Sequence, residues 1–192
     1  VVLTAIAADP LVWLPFGGGN FDQPANWRGA EVPNNLENFL FTPENGGTVS
    51  VSNFDLSVGN LTFNDGFSES ILRIEESGNL FIGSSVAGTG ELVIAGGLSA
   101  GDPLGLVSFQ TDLTFEDTAR LEMDIHGIGE GEFDRIALAG LTQLGGALEV
   151  RIDPDFNPTG GDTFLFGDVT GGISGTFADL PEGASVLTSD ST

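Results

Sequence analysis

The chain has 192 residues, of which 40% are hydrophobic and 29 are glycine, so it can bury a core and is rich in turns. Its 28 acidic residues stand against five arginines and no lysine, for a formal net charge of −23. This charge excludes a nucleic-acid partner, because binding to phosphate backbones depends on clustered basic side chains. Cysteine is absent, which excludes disulfides and thiolate sites, and no apolar run approaches the roughly 20 residues of a membrane span.

The first ten residues have a pattern of their own. Val1–Ile6 is a β-branched apolar run, and Ala7–Pro10 ends it. A single strand is unstable alone, so this one needs a partner sheet. We therefore expect residues 1–10 to be a donor-type strand with a linker, and residues 11–192 to be a single all-β domain. The large apolar ring of Trp27 is expected to pack at the entry to the core; the alternative role is a platform on which a sugar ring stacks.

Residues 39–130 contain short strands separated by turns. Most of them alternate apolar and polar residues, the period of a half-buried strand: Leu61/Phe63, Leu80/Ile82, Leu92/Ile94, Leu113/Phe115 and Leu121/Met123. Such a series predicts the rungs of a β-solenoid similar to a parallel β-helix, in which neighbouring coils bury each other's apolar faces. A jelly-roll-like β-sandwich is the alternative, since strands at this spacing are typical of that fold too.

Residues 133–181 hold four further apolar runs cut by turns. Gly145-Gly146 precedes the alternating run Leu148, Val150 and Ile152, which Asp153-Pro154 ends. Thr163–Phe166 is another strand candidate. We expect these runs to form antiparallel C-terminal hairpins, with Leu148 in the core.

This segment also resembles a known repeat. The elements Phe133-Asp134, Leu144–Val150, Phe156–Phe164 and Gly175–Pro181 are similar to the end of a repeat in bacterial autotransporter-like and PEP-CTERM-type surface proteins. Upstream, the phrase Val58–Phe63 is similar to the beginning of that unit. The resemblance implies a β-strand-rich, glycine-rich location outside the cell or on its surface, and it implies little about chemistry.

The candidate chemical groups do not indicate an enzyme. His126 is the single histidine and stands at the end of a predicted strand, without a recognisable nucleophile motif. With 28 acids, some carboxylate pair will lie at a suitable separation by chance, so such pairs are no evidence for glycoside cleavage. Glu130, Glu132 and Asp134 are expected to form a solvated turn.

The acidity is consistent with solubility in salty surroundings or with binding of divalent cations. The sharpest ligand-like spacing is Asp153, Asp155 and Asn157, with Asp162 further on, which resembles the alternating oxygen ligands of a calcium loop. Pro158 stands where such a loop has glycine, and Phe164 where it has glutamate. Calcium is therefore a possible cofactor here, and we expect no other.

The termini suggest how copies of the chain could associate. In the resembled family a closing strand follows the Gly175–Pro181 element, whereas here the matching sequence is Val1–Ile6, so the segment is expected to be one repeat of a longer chain or a strand-exchanging subunit. The second case predicts a head-to-tail filament whose interface comprises Val1, Val2, Leu3, Thr4, Ala5, Ile6, Val186 and Leu187. The alternative function is a carbohydrate- or surface-binding adhesion module of a larger secreted protein, with cell-surface polysaccharide as its partner.

Overall fold

The computed structural model describes residues 17–27, 30–32, 36–41, 47–63, 70–101 and 104–181. The predicted donor strand Val1–Ile6, Trp13 and the predicted acceptor residues Val186 and Leu187 lie outside these residues. The described part is all-β. It holds one short 3₁₀ helix, Pro24–Asn26, and no α-helix within those ranges.

Sixteen strands are described, and most of them are short. They are β1 (Gly17–Asn20), β2 (Leu36–Phe41), β3 (Gly47–Val51), β4 (Asp55–Phe63), β5 (Ser70–Ile74), β6 (Asn79–Gly88), β7 (Glu91–Ile94), β8 (Gly97–Ala100), β9 (Leu106–Phe109), β10 (Asp112–Phe115), β11 (Arg120–Ile125), β12 (Arg135–Leu138), β13 (Thr142–Leu144), β14 (Ala147–Ile152), β15 (Gly167–Val169) and β16 (Ile173–Gly175).

The strands form two sheets, and every pairing between described strands is parallel. The first sheet has the order β1-β3-β5-β7-β10-β13-β16. The second has the order β14-β11-β8-β6-β9-β12-β15, with β4 paired to β6 and β2 to β4. The chain alternates between the sheets from β1 to β8; after that, two consecutive strands of the second sheet separate neighbouring strands of the first. Each strand of the first sheet thus pairs with one that comes 20 to 31 residues earlier.

The core lies between the two sheets and is built from columns of aligned residues. In the second sheet Leu56, Leu80, Leu98, Leu121 and Leu148 occupy the same register position on successive strands. The first four of these leucines are 0 to 2% exposed. The alternating pairs predicted from the sequence between Leu61 and Met123 are all buried, which confirms the period-two interpretation of those strands.

The expected antiparallel hairpins in residues 133–181 are wrong. Gly145-Gly146 separates β13 from β14, but these strands belong to different sheets, and each pairs in parallel with an earlier strand. Gly146 (φ +65°) turns a corner between the sheets, where a Cβ atom would overlap the backbone of Ala119. A short glycine turn therefore marks a corner here, not a hairpin.

Two further expectations differ from the structure. Residues 163–166 are not a strand, and the next strand begins only at Gly167. A jelly-roll-like sandwich pairs its strands antiparallel, which does not fit the parallel pairing of the described strands. The residues after Asp117-Thr118, by contrast, form a strand after a turn, as their alternation predicts.

Candidate functional site

The C-terminal end of the sheets is where the core becomes incompletely covered. On β11 the inward residues Leu121, Met123 and Ile125 are 2, 0 and 3% exposed. Their register partners on β14, namely Leu148, Val150 and Ile152, are only half-buried. A residue inside a parallel sheet is covered by a neighbouring strand on each side, and among the described residues β14 has a neighbour on one side only. We call this face of β14 the open edge.

The chain approaches the open edge once and then turns away. The backbone N–H of Ala178 donates to the carbonyl of Gly146 (2.6 Å), as the N–H of Ala147 donates to that of Ala119 (2.8 Å). This places Ala178 where a strand alongside β14 would begin. Asp179 then adopts a left-handed conformation (φ +58°), and the N–H of Leu180 donates back to Phe177. No residue of the described ranges pairs with β14 beyond this point.

The backbone groups along the open edge follow from the ladder on the other side of β14. The N–H group of Ala147 donates to the carbonyl of Ala119, just before β11, and that of Asp153 donates to the carbonyl of Ile125 on β11. Because successive residues of a strand direct their backbone groups to opposite sides, the groups of the even-numbered residues 148, 150 and 152 face outward. A strand with free backbone groups and half-exposed apolar residues is a template for pairing with another strand.

Apolar side chains are also exposed elsewhere in the C-terminal part of the described chain. Leu165, in the connection between β14 and β15, is 64% exposed, and Ile173 on β16 of the first sheet is 51% exposed. The predicted interface residues Val1–Ile6, Val186 and Leu187 lie outside the described residues, so the structure does not place them.

The predicted calcium loop connects β14 to β15, and its carboxylates bind the loop itself. Asp153 accepts the N–H of Asp155 (2.8 Å), and Asp162 accepts the N–H of Thr159 (2.7 Å). The described residues contain no group of three or more histidine and acidic side chains placed to hold a metal ion. Calcium binding by Asp153, Asp155, Asn157 and Asp162 stays a prediction.

His126 lies at the end of β11, exposed, as its position in the sequence predicts. Its Nδ1 is 3.5 Å from a carboxylate oxygen of Asp153, so the calcium-like loop and the loop after β11 meet here. The two loops are joined by aromatic rings as well: the Phe133 ring packs edge-on against Phe164, with 5.5 Å between centroids, and against Phe166 at 6.2 Å. The long connections are thus packed segments.

Asp134 is a buried carboxylate, although the sequence predicts that it is exposed. It was expected in a solvated acidic turn with Glu130 and Glu132, but its residue exposure is only 2%. One carboxylate oxygen accepts the N–H of Gly105 (3.1 Å) and the other accepts that of Asp124 (2.9 Å). Burial raises the pKa of Asp134 to about 6, although these two hydrogen bonds favour the charged form.

Trp27 serves packing, the first of its two predicted roles. It is 2% exposed, its indole N–H donates to the carbonyl of Phe21 (2.8 Å), and the two rings meet edge-on at 4.8 Å. A buried ring cannot stack on a sugar, so Trp27 offers no platform.

No helix within the described ranges is long and apolar enough to cross a membrane. Comparison of the whole chain with family models, with curated proteins and with solved structures found no match.

Proposed function

We propose that this chain is a structural β-solenoid of an extracellular or cell-surface filament, in which copies join head to tail through a donated strand. The role is mechanical and not catalytic. In this proposal Val1–Ile6 of one copy pairs with the open edge of the next, and Val186 and Leu187, which lie outside the described residues, are proposed to belong to the same acceptor. The single observation that supports the proposal is the open edge. There, half-buried apolar residues and backbone groups that face away from β11 could pair with a strand of another copy.

The solenoid part of the proposal is supported by the register. The column of five leucines in the second sheet repeats once per return of the chain, which is how a coil buries its apolar face on the next coil.

The dimensions of donor and acceptor agree. Val1–Ile6 has the same length as β14, six residues, or about 20 Å of extended strand. It carries no charged side chain, and every second residue can enter the half-covered interior beside Leu148 and Val150. Because donor and acceptor are different surfaces, the contact propagates into a filament unless it closes into a ring.

The donor side is tested by deletion. Light scattering and electron microscopy should show long assemblies for the 192-residue chain and folded monomers for a chain lacking Val1–Ile6. Fusing that strand after Thr192 through a flexible linker should occupy the open edge and also give monomers. Assemblies that form normally from the deletion variant would refute strand donation.

The acceptor side is tested by a matched pair of substitutions. Val150→Pro removes an outward-facing N–H of β14 without removing a bond to β11, and an edge strand tolerates proline in that orientation. Val150→Ala trims the same side chain and keeps the N–H. We expect assembly to be lost in the proline variant and kept in the alanine variant, with both folded by circular dichroism. Equal behaviour of the two variants would place the interface elsewhere.

A further inference from the structure

The outer face of the second sheet has a trough that runs along β8. The outward residues of β8 are small, Gly97 and Ser99, whereas both neighbouring strands carry large ones. Asn79 and Phe81 stand on the β6 side, and Arg120 and Glu122 on the β11 side. With neighbouring strands about 4.8 Å apart, the backbones of β6 and β11 are about 10 Å apart. The space between them, which we call the β8 trough, has a volume of about 250 Å³.

The register fixes which groups face each other across the β8 trough. Asn79, Gly97 and Arg120 share one row, and Phe81, Ser99 and Glu122 share the next. Any Cβ atom at Gly97 would overlap the amide oxygen of Asn79. Glycine therefore leaves room for the side chains of Asn79 and Arg120 to meet above it, at 3.4 Å.

Arg120 and Arg151 of the β8 trough have N–H donors that their neighbours in the structure do not use fully. Arg120 reaches Asn79 at 3.4 Å and Glu149 at 3.7 Å, both longer than an ordinary charged hydrogen bond of about 2.8 Å. Arg151 makes one short contact, 2.8 Å to Glu122, and its side chain is 58% exposed. A guanidinium group has five N–H donors, so both side chains can donate to a ligand as well.

Charge decides the class of ligand. The whole chain carries −23, but here Arg120 and Arg151 offset Glu122 and Glu149, and the nearby carboxylate of Asp55 accepts a hydrogen bond from the amide of Asn79 (2.7 Å), so the site is close to neutral. An anion would have to approach these glutamates within a strongly negative molecule, and a cation would have to approach the arginines. A neutral ligand meets neither penalty.

We propose that the β8 trough binds a neutral glycan. The planar side chains of Asn79, Arg120 and Glu122 offer donors and acceptors for neighbouring hydroxyl groups, and Ser99 adds a hydroxyl on the floor. The partly exposed ring of Phe81 supplies an apolar surface for the C–H face of a sugar ring. In ligand sites a few convergent polar groups fix the orientation of the ligand, and Asn79, Arg120 and Glu122 can do so here. The site is formed mainly by β6, β8 and β11 on the outer sheet face, and only Arg151 comes from β14, the acceptor strand of the proposed assembly.

Affinity electrophoresis of the 192-residue chain tests the proposal, with dextran, laminarin and xylan as neutral probes and polygalacturonate as the anionic comparison. We expect retardation by at least one neutral glycan and none by polygalacturonate. Phe81→Ala should weaken that binding about tenfold, and Ser99→Phe, which fills the floor, should abolish it. Both side chains face outward, so both variants should fold.

Ile173→Ala is the matched control, because it trims an exposed apolar side chain on the other sheet. It should bind like the unmodified chain. The absence of retardation by all three neutral glycans, retardation by polygalacturonate alone, or equal weakening by Ile173→Ala and Phe81→Ala would each overturn the proposal. Light scattering of the same variants should show unchanged assembly, which distinguishes loss of glycan binding from loss of strand donation.

Discussion

Asp134 should give the protein a pH-dependent stability that one substitution removes. Its buried carboxylate bridges two backbone N–H groups, those of Gly105 before β9 and Asp124 on β11. Burial raises its pKa from 3.8, the ordinary value for aspartate, to about 6, so the folded chain holds this proton more tightly than the unfolded chain. Stability from this group is therefore fully present below pH 4 and falls as the pH rises through about 6.

The magnitude follows from the size of the shift. About two pKa units correspond to roughly 3 kcal/mol between the two protonation extremes. Between pH 7.5 and pH 5.0 the expected gain in the free energy of unfolding is about 1.4 kcal/mol. This range stays above the sequence pI of about 4.1, where precipitation would interfere.

Urea unfolding of the original chain and of Asp134→Asn at four pH values in this range measures the effect. The asparagine variant has no proton to bind, so its stability should rise by about 1.4 kcal/mol less on going to pH 5.0. The amide NH₂ group of the asparagine would face one of the two backbone N–H groups, which then loses its acceptor. In addition to the pH effect, this should lower the free energy of unfolding of the variant by about 1 to 3 kcal/mol. Asp112→Asn, an exposed carboxylate that accepts the N–H of Leu141, controls for the loss of one charge. Parallel pH profiles for the original chain and Asp134→Asn would refute the reasoning.

Three further outcomes are expected. Leu121→Ala should lower the free energy of unfolding by about 3 kcal/mol and Leu148→Ala by about 1 kcal/mol, because only the first is fully buried; equal losses in urea unfolding would show that the open edge is covered. Gly88→Ala should cost about 2 kcal/mol or more, since Gly88 has φ +107° and a Cβ atom would overlap a carbonyl of β4; an unchanged thermal midpoint would contradict this. Millimolar calcium should raise the melting temperature of the original chain more than that of Asp155→Asn. If the original chain melts at the same temperature in chelator and in calcium, the loop does not bind calcium.

The local period of the sequence predicts the strands, and it does so best where burial is complete. From Leu61 to Met123 the alternating residues are those that the two sheets enclose. The same pattern fails at Thr163–Phe166, where Phe164 and Phe166 alternate because both reach Phe133 from an irregular loop. Alternation reports which side chains are buried, and an extended loop held by aromatic contacts has the same signature as a strand.

What the sequence could not supply depends on groups far apart in the chain. Asp134 stands in an acidic stretch, so local composition predicts exposure. Its buried carboxylate accepts hydrogen bonds from the N–H of Gly105, 29 residues earlier, and from the N–H of Asp124 on β11. Likewise, whether Gly145-Gly146 is a hairpin or a corner depends on which earlier strand each neighbour pairs with. The neighbouring Phe133 gave no signal for this burial, since adjacent residues of an extended segment point to opposite sides.

Charge sets the conditions under which the proposed filament can form. Each copy carries −23, so two copies repel at long range, whereas the proposed contact joins an uncharged strand to half-buried Leu148, Val150 and Ile152. At about 0.1 M salt the Debye length is only about 10 Å, so added salt screens the repulsion and leaves the apolar contact intact. Assembly should therefore strengthen between about 10 mM and about 300 mM sodium chloride, as sedimentation can measure. A contact held by ion pairs would weaken over the same range, and that result would exclude strand donation at the open edge as the main source of association.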